Sequence, residues 1–120
     1  MKYEWLEEFL LAKKGVNKDF KVEWNWDRYW IEDKMFAAVC YDDEHVAQLI
    51  TLKLEPLEGD FLRQNHKDII PGYYMNKTHW NSIKVEGNIS DDMLKDLLDK
   101  SYNLVLKSFS KKKQKEILEN

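Results

Sequence analysis

The chain has 120 residues, of which 19 are Lys or Arg and 22 are Asp or Glu, so its formal net charge is −3 at pH 7. A hydrophobic share of 43% suffices for one packed core, and 13% aromatic residues exclude a disordered chain. The negative balance argues against a polycation that binds nucleic acid by charge alone. We therefore expect a single domain over residues 1–120.

The compartment is indicated by three features. The lone cysteine, Cys40, cannot form an internal disulfide, which is typical of a protein from a reducing compartment. Segment 1–11 interleaves glutamates with apolar residues and lacks the basic start and unbroken apolar stretch of an export signal. The longest apolar run, Met35–Tyr41, is far shorter than the roughly 20 residues that span a bilayer. We expect a soluble, cytoplasmic protein without a membrane partner.

The first 26 residues predict a helix and then a strand. Apolar residues of segment 3–13 recur at helical spacing, and Gly15 follows them as a stop signal. From Phe20 the period changes to two, which is typical of a half-buried strand. Three apolar residues share one face of this predicted strand: Val22, Trp24 and Trp26.

Three further strands are predicted in the next thirty residues. A short strand covers 29–31, and the run 35–41 is apolar at consecutive positions, as a central strand would be. Its antiparallel partner covers 47–54, after a turn at 42–44 made of two aspartates and a glutamate. This part of the chain therefore predicts a meander of three or four strands.

The second half predicts helices around a pair of strands. Pro56 suits the first turn of a short helix that runs to about residue 65. Segment 68–80 is a connection containing Pro and Gly, and 82–86 alternates as a strand. Ser90 is a strong N-cap for the last helix, whose apolar positions keep helical spacing for about five turns: Leu94, Leu97, Leu98, Tyr102, Val105 and Phe109.

A Lys-rich tail, 110–120, ends the chain. We expect its lysines to complement the C-terminal dipole of the long helix or the tail to fray in water, rather than to bind phosphate. The element order is then α, three or four β, α, two β, α. Tight turns between strands imply an antiparallel sheet, and helices with one apolar stripe each must cover one face of it. The sequence thus predicts a two-layer α+β sandwich.

Most catalytic and cofactor chemistry is excluded by spacing. The four glycines are scattered, so no phosphate-binding loop can be written, and no Gly-x-Ser-x-Gly motif occurs. Cys40 lies in an apolar run and is expected to be structural. No two of the three histidines have ligand spacing, and the acidic run 42–45 is better explained as a solvated turn than as a cation site. We predict no cofactor, no metal and no enzymatic activity.

Aromatic residues crowd the segment around the predicted hairpin. Exposed aromatics on a sheet can stack on unpaired bases, and a hydrophobic core needs the same residues. The spacing favours the core for three tryptophans of this segment: Trp24, Trp26 and Trp30. Three tryptophans so close together nevertheless imply that one of them is exposed.

Charge is unevenly distributed along the chain. Residues 1–60 hold 8 basic and 14 acidic side chains, a net −6, whereas residues 61–120 hold 11 and 8, a net +3. Only the second half can offer a basic face to an anion. Outside the tail, its cationic candidates precede the long helix: Arg63, His66, Lys67, Lys77, His79 and Lys84.

The run 71–80, PGYYMNKTHW, resembles the signature of the bacterial MmcQ/YjbR family. Three other segments fit the family pattern in order: KMFA at 34–37, Leu52-Lys53 before Pro56, and the pair Ser101-Tyr102 of the final helix. The resemblance covers essentially the whole chain. Glu55, where many relatives have Asp, and the tail beyond Lys112 depart from it.

The resemblance implies a compact YjbR-like fold, similar to secretion-chaperone and frataxin-like (CyaY-like) folds, and a DNA-binding role without enzymatic activity. Physically, a protruding loop that carries an amide, an ammonium and an imidazole can grip a phosphodiester. We expect cations to contact phosphates, Asn76 to contact a base edge or close the loop by an Asx-turn, and Trp80 to stack or plug the core. The candidate residues are Lys67, Asn76, Lys77, His79, Trp80 and Lys84.

Two alternatives belong to other classes. A protein-interaction or dimerising module is suggested by the many large aromatics, and it predicts an exposed apolar patch around Trp24, Trp26 or Trp30. A weaker alternative is metal binding through the acidic first helix, whose glutamates and Asp19 are better explained as a solvated face.

Overall fold

A computed structural model describes residues 1–72 and 76–119. These residues form an antiparallel sheet with helices on one face, so the predicted two-layer α+β fold is confirmed. In chain order the elements are α1 (Leu6–Leu11), β1 (Val16–Lys21), β2 (Trp26–Ile31), β3 (Lys34–Tyr41), β4 (Ala47–Lys53), α2 (Pro56–Asn65), β5 (Ile69–Pro71), β6 (Trp80–Lys84), α3 (Asp91–Leu106) and α4 (Lys111–Glu119).

The sheet has the order β1-β2-β3-β4-β6-β5, and every neighbouring pair is antiparallel. The chain leaves β4 through α2, forms the outer strand β5 and returns as β6 beside β4. Its two outer strands differ in character. β5 has three residues and ends in Pro71, whereas β1 is longer, polar and largely exposed.

The core lies between the sheet and the helices. Residues opposite one another on antiparallel strands share a face, so Ile50 and its partner Ile83 both point toward α3. Leu94 and Leu98 of α3 meet them there, and Leu6 of α1 completes the layer. On the other face, a smaller cluster joins three residues of one row: Trp26, Cys40 and Leu49.

Helix α3 begins where the sequence predicts. Ser90 caps it by accepting a hydrogen bond from the backbone N–H of Met93 at 3.1 Å, and Asp91 and Asp92 occupy the first turn. One buried side chain then ties α3 to two strands. The hydroxyl of Ser101 donates to the carbonyl of Phe36 at 2.6 Å and accepts from the backbone N–H of Lys53 at 2.8 Å.

The predicted strand through Val22, Trp24 and Trp26 is wrong. β1 ends at Lys21 and β2 begins at Trp26, with a turn over 22–25 between them. Asn25 adopts a φ of 58°, a left-handed conformation that Asn tolerates better than most residues. The alternation of aromatic residues therefore crosses a hairpin turn. The sequence does not predict the preceding strand, β1, because its residues do not alternate in hydrophobicity.

The Lys-rich tail is more ordered than its composition suggests. Residues 111–119 form α4, which Ser110 caps by accepting from the backbone N–H of Lys113 at 3.1 Å. One apolar side chain, Ile117, is buried against Gly15, whose φ is +75°. A frayed tail does not describe this segment, because burial of Ile117 holds the helix to the domain.

Candidate nucleic-acid interface

The loop before β6 is closed by its own backbone and by Asn76. The carboxamide Oδ1 of Asn76 accepts from the backbone N–H of Thr78 at 2.8 Å, which confirms the predicted Asx-turn. The carbonyl of Asn76 also accepts from the N–H groups of His79 and Trp80, at 3.2 and 2.9 Å. Residues 73–75, of which the sequence makes Tyr73 and Met75 candidates for packing in the core, lie outside the described residues.

Trp80 is a packed residue. Its side chain is only 9% exposed, and it begins β6 opposite Lys53 of β4. Close contact with Gly72 contributes, since a Cβ added to that glycine would lie 2.9 Å from the Cβ of Trp80. Trp80 is therefore inside the protein, where its ring is not accessible for stacking on a base.

The loop lies at the end of the sheet where β2 and β4 finish and β3 and β6 begin. The carbonyl of His79 accepts from the backbone N–H of Leu54 at 2.8 Å, which fixes the loop beside the last residues of β4. Asn76 and Lys77 are exposed here, and His79 is half-buried. We call this end of the sheet the basic end. It comprises the loop residues Asn76, Lys77 and His79 and three further lysines: Lys34, Lys53 and Lys107.

Two predicted cations lie elsewhere. Lys84 finishes β6, and its backbone N–H donates to the carbonyl of Asp68 at 2.9 Å, so Lys67 is its close neighbour in the preceding turn. From Trp80 to Lys84 the strand covers about 13 Å. The structure thus separates the candidates into Asn76, Lys77 and His79 at one end of β6, and Lys67 with Lys84 at the other.

Three lysines that are not among the predicted contact residues join the basic end. Lys53 is the last residue of β4 and pairs with Trp80. Lys34 begins β3, and its ammonium donates to the hydroxyl of Ser108 at 2.9 Å. Lys107 is the C-cap residue of α3. They are far apart in the chain, and the strand order together with the Lys34 contact to Ser108 places them at the same end of the sheet.

These cations are free of carboxylate partners. Within residues 1–72 and 76–119, none of the basic-end lysines lies within 4.0 Å of an acidic side chain: Lys34, Lys53, Lys77 and Lys107. Of the other Lys and Arg residues in these ranges, seven have a carboxylate within 4.0 Å and the rest, including Lys67 and Lys84, have none. Lys100, one of the seven, binds Glu58 at 2.5 Å, a hydrogen bond that raises the pKa of its ammonium.

A cavity of about 350 Å³ borders the basic end, between the start of α2 and the second half of α3. Its walls mix charges of both signs with a few apolar atoms. The lining residues are Leu54, Glu55, Glu58, Lys100, Asn103, Leu104 and Lys107. Glu55 and Glu58 would repel a phosphate group inside the cavity, so the ammonium groups of the basic end are better anion contacts than the cavity itself.

The opposite end of the sheet has an apolar surface at the turns that follow β1 and β3. We call it the apolar tip, and its exposed residues are Phe20, Val22, Trp24 and Val46. Trp24 is 47% exposed, whereas Trp26, whose ring centroid lies 5.1 Å away, is 4% exposed. The expectation that one tryptophan of this segment is exposed is confirmed.

Trp30 belongs to a hydrogen-bonded cluster with Asp19 and Arg28. Its indole N–H donates to Asp19 at 3.0 Å, and the Arg28 guanidinium lies 4.8 Å from its ring centroid. Arg28 also donates twice to Asp19, at 2.9 and 2.6 Å. These hydrogen bonds from Arg28 hold the pKa of the Asp19 carboxyl below its usual value. Asp19 therefore belongs to this cluster. Glu7 of α1, which the metal-binding alternative groups with Asp19, pairs with Lys18.

The remaining chemical candidates are structural. Cys40 is buried beside Thr51, and burial raises the pKa of its thiol to about 11, which favours the protonated form. Asp42 accepts from the backbone N–H groups of Glu44 and Val46, both at 2.9 Å, as the predicted acidic turn requires. The described part of the chain contains no cluster of three or more metal-ligating side chains. Its helices are all too short or too polar to cross a membrane.

Similar chains exist among known proteins. The protein of Escherichia coli K12 described as uncharacterized protein YjbR is 29% identical over 110 residues, which is 92% of each chain. The YbdF protein of Escherichia coli O157:H7 is 40% identical over 68 residues, 57% of this chain and 56% of that protein.

Solved structures and a family model agree with this relationship. The crystal structure of a Deinococcus radiodurans protein with a DUF419 domain has a TM-score of 0.82 at 28% identity, over 93% of this chain and 84% of that one. A Pseudomonas syringae protein shares the fold with a TM-score of 0.69 at 21% identity, over 87% of this chain and 98% of that one. The family model named YjbR matches residues 11–104. The chain therefore belongs to the YjbR family.

Proposed function

We propose that the protein binds DNA, without catalysing a reaction on it, through the phosphates that the basic end can contact. The observation that carries this proposal is the convergence of four unpaired lysines from separate elements: Lys34, Lys53, Lys77 and Lys107. An ammonium that has no carboxylate partner loses no ion pair when it binds a phosphate.

The loop adds polar groups beside these lysines. Asn76 uses its Oδ1 in the Asx-turn, and its exposed Nδ2 donor can still reach a base edge or phosphate oxygen. His79 lies half-buried beside the end of β4 and adds a further donor. Phosphate contacts position a protein on DNA, whereas base contacts give specificity. The predominance of lysines thus supports binding with little sequence preference.

The proposal has a quantitative consequence. Four phosphate contacts give a slope of about −3.6 for the logarithm of the binding constant against the logarithm of salt concentration. The net charge of −3 opposes long-range attraction, so the affinity is expected to be modest and easiest to measure at low salt.

Fluorescence anisotropy with labelled duplex and single-stranded DNA, titrated over a range of salt, tests this. The double variant Lys53→Gln/Lys77→Gln should weaken binding and reduce the slope by about 1.8. The matched control is Lys67→Gln/Lys84→Gln, which changes the net charge equally at the far end of β6.

Two results would contradict the proposal. One is the absence of any binding by the unmodified protein at low salt. The other is an equal loss of affinity in both double variants, because this would mean that only overall charge matters. Lys77→Glu alone should also abolish most binding, and full retention would remove the loop from the interface.

A protein-interaction module is a second candidate, favoured by the apolar tip. Monomeric proteins rarely expose a contiguous group of large apolar side chains without a partner. Three of these residues are close in sequence on one hairpin, Phe20, Val22 and Trp24, and Val46 lies on the neighbouring turn. Light scattering tests it: a concentration-dependent rise in mass that Val22→Ser/Trp24→Ser removes supports self-association, and a strict monomer at all concentrations counts against it.

A further inference from the structure

We propose that α4 is a second phosphate-contacting surface, which extends the basic end and binds the same DNA backbone. Its contacting side chains are Lys111, Lys112 and Lys115, which are exposed. This inference rests on the proposed function for its ligand. It assigns DNA contact to a separate element, however, so α4 can prove not to bind DNA while the loop and strand ends still do.

The charge pattern of α4 runs against the preference of an isolated helix. The N-terminus of a helix carries partial positive charge and favours Asp or Glu, as in α3 with Asp91 and Asp92. The first turn of α4 instead holds three consecutive lysines, 111–113, and no acidic residue. Arrangements that oppose a local preference are expected where a function requires them. A bound phosphate would relieve this repulsion.

The cations in α4 are only partly neutralised by protein. Lys113 lies 3.5 Å from Glu32 and 3.6 Å from Glu116. Among the described residues, no carboxylate lies within 4.0 Å of Lys111 or Lys112, or of Lys115 in the following turn. Three exposed ammonium groups on one short helix are therefore available to an anion.

The helix is held in a fixed position. Ile117 is 2% exposed and packs on the backbone of Gly15, where a Cβ would come within 2.6 Å of it. At the other end, the side chain of Gln114 donates to the carbonyl of Phe109 at 2.8 Å, and Ser110 supplies the N-cap. The lysines thus project from an ordered scaffold, which lowers the entropy lost when they bind.

The connection between α3 and α4 lies against the basic end. Lys34 at the start of β3 donates to the hydroxyl of Ser108, and its ammonium lies 4.5 Å from the ring centroid of Phe109. Lys107 stands just before these residues. The lysines of α4 therefore continue the same surface. The family model covers residues 11–104, so α4 lies outside the segment that it matches.

A phosphodiester backbone fits this surface better than a lipid membrane does. A helix that lies in a membrane interface needs an apolar face to insert among the acyl chains. The apolar face of α4 is used inside the protein, because Ile117 is buried, and Leu118 alone among the described α4 residues is an exposed large apolar side chain. A row of lysines without an insertable face is suited to a chain of phosphates.

The experiment compares Lys111→Gln/Lys112→Gln with the unmodified protein in the same anisotropy titrations. The slope against salt should fall by about 1.8, which corresponds to a loss of up to about 60-fold in affinity at 0.1 M salt. The loss should be equal for DNA of different sequences. Lys67→Gln/Lys84→Gln serves again as the charge-matched control, and circular dichroism verifies that α4 remains folded.

The outcomes separate this inference from the proposed function. If Lys53→Gln/Lys77→Gln weakens binding and Lys111→Gln/Lys112→Gln does not, α4 is not part of the interface and the DNA-binding role stands. If only the α4 variant weakens binding, α4 is the contact surface and the loop is not. Two results overturn the inference. One is that no form of the protein binds DNA. The other is that Lys111→Gln/Lys112→Gln reduces binding to anionic phosphatidylserine vesicles and leaves binding to DNA unchanged.

Discussion

Ser101 and Lys53 are joined by a partly buried hydrogen bond that fixes the long helix α3 to the end of β4. The hydroxyl of Ser101 accepts the backbone N–H of Lys53 at 2.8 Å and donates to the carbonyl of Phe36 at 2.6 Å. One side chain therefore satisfies backbone groups of both central strands. It also sets the position from which the Lys53 side chain reaches the basic end.

Replacing Ser101 with Ala should destabilise the protein by about 1–3 kcal/mol, because the N–H of Lys53 and the carbonyl of Phe36 each lose this partner. Urea denaturation should show a lower midpoint with an unchanged m-value. Thr78→Ala, at an exposed hydroxyl, is the control and should change stability by less than about 0.5 kcal/mol. A similar effect of both substitutions would show that the Ser101 hydrogen bonds add nothing.

Gly15→Ala should loosen α4. The residue has a φ of +75°, and its new Cβ would lie 2.6 Å from the Cγ2 of Ile117, so both backbone strain and a steric clash oppose Ala. We expect a loss of more than about 1 kcal/mol, together with weaker amide-exchange protection in α4.

A double-mutant cycle separates the two causes. Ile117→Ala removes the clashing side chain, so the double variant should lose less stability than the sum of the single variants. Strict additivity would show that the clash is absent and that only the backbone conformation of Gly15 matters.

Trp24 and Trp26 should respond very differently to truncation. Trp26→Ala removes a buried indole and should cost about 3–5 kcal/mol. Trp24→Ala removes a half-exposed ring and its edge contact to Trp26, for which we expect about 0.5–1.5 kcal/mol. Acrylamide quenching of the native protein should fall measurably in Trp24→Ala, since this residue contributes accessible fluorescence. Equal losses of stability would place both rings in the core.

Ionisation of the Cys40 thiol should lower the stability of the folded protein at alkaline pH. Burial raises the pKa of its thiol from 9.0 to about 11, so the folded state favours the protonated form more than the unfolded state does. Stability from this group is complete below pH 9 and is lost as the pH rises through about 11, by roughly 1–3 kcal/mol.

Urea titrations at pH 8 and pH 10.5 measure this dependence. Burial also raises the pKa values of Tyr29 and Tyr41, which contribute in the same direction, so the informative quantity is the difference between the unmodified protein and Cys40→Ala. The variant should lose less stability over this range. Rapid reaction of the native thiol with Ellman's reagent at pH 8 would contradict its burial.

Local signals account for the elements that the sequence predicted well. α3 combines an N-cap at Ser90 with a continuous apolar stripe, and β3 is an uninterrupted apolar run, so each is specified by its own residues. The alternation of Trp24 and Trp26 misled the prediction, because a turn stabilised by the left-handed Asn25 separates them. α4 was missed because its packing depends on Gly15, a contact of a distant segment.

The candidate site was only half predictable for the same reason. A motif identified the loop with Lys77 and His79, and the fold places it beside the end of β4. Lys34 and Lys53 lie in segments that resemble the family, but the resemblance gives them no binding role, and their relevance arises from strand order and from the Lys34 contact with Ser108. Lys67 and Lys84 belong to the positive half of the chain, and yet four residues of β6 separate them from the loop.

The two outer strands limit how this protein can associate with itself. β5 offers only three residues and one of them, Pro71, has no N–H to donate. β1 carries Lys18, Asp19 and Lys21, and charged side chains on an edge strand discourage pairing with a second chain. Growth of a continuous intermolecular sheet, as in amyloid, is therefore disfavoured at both margins of the folded protein.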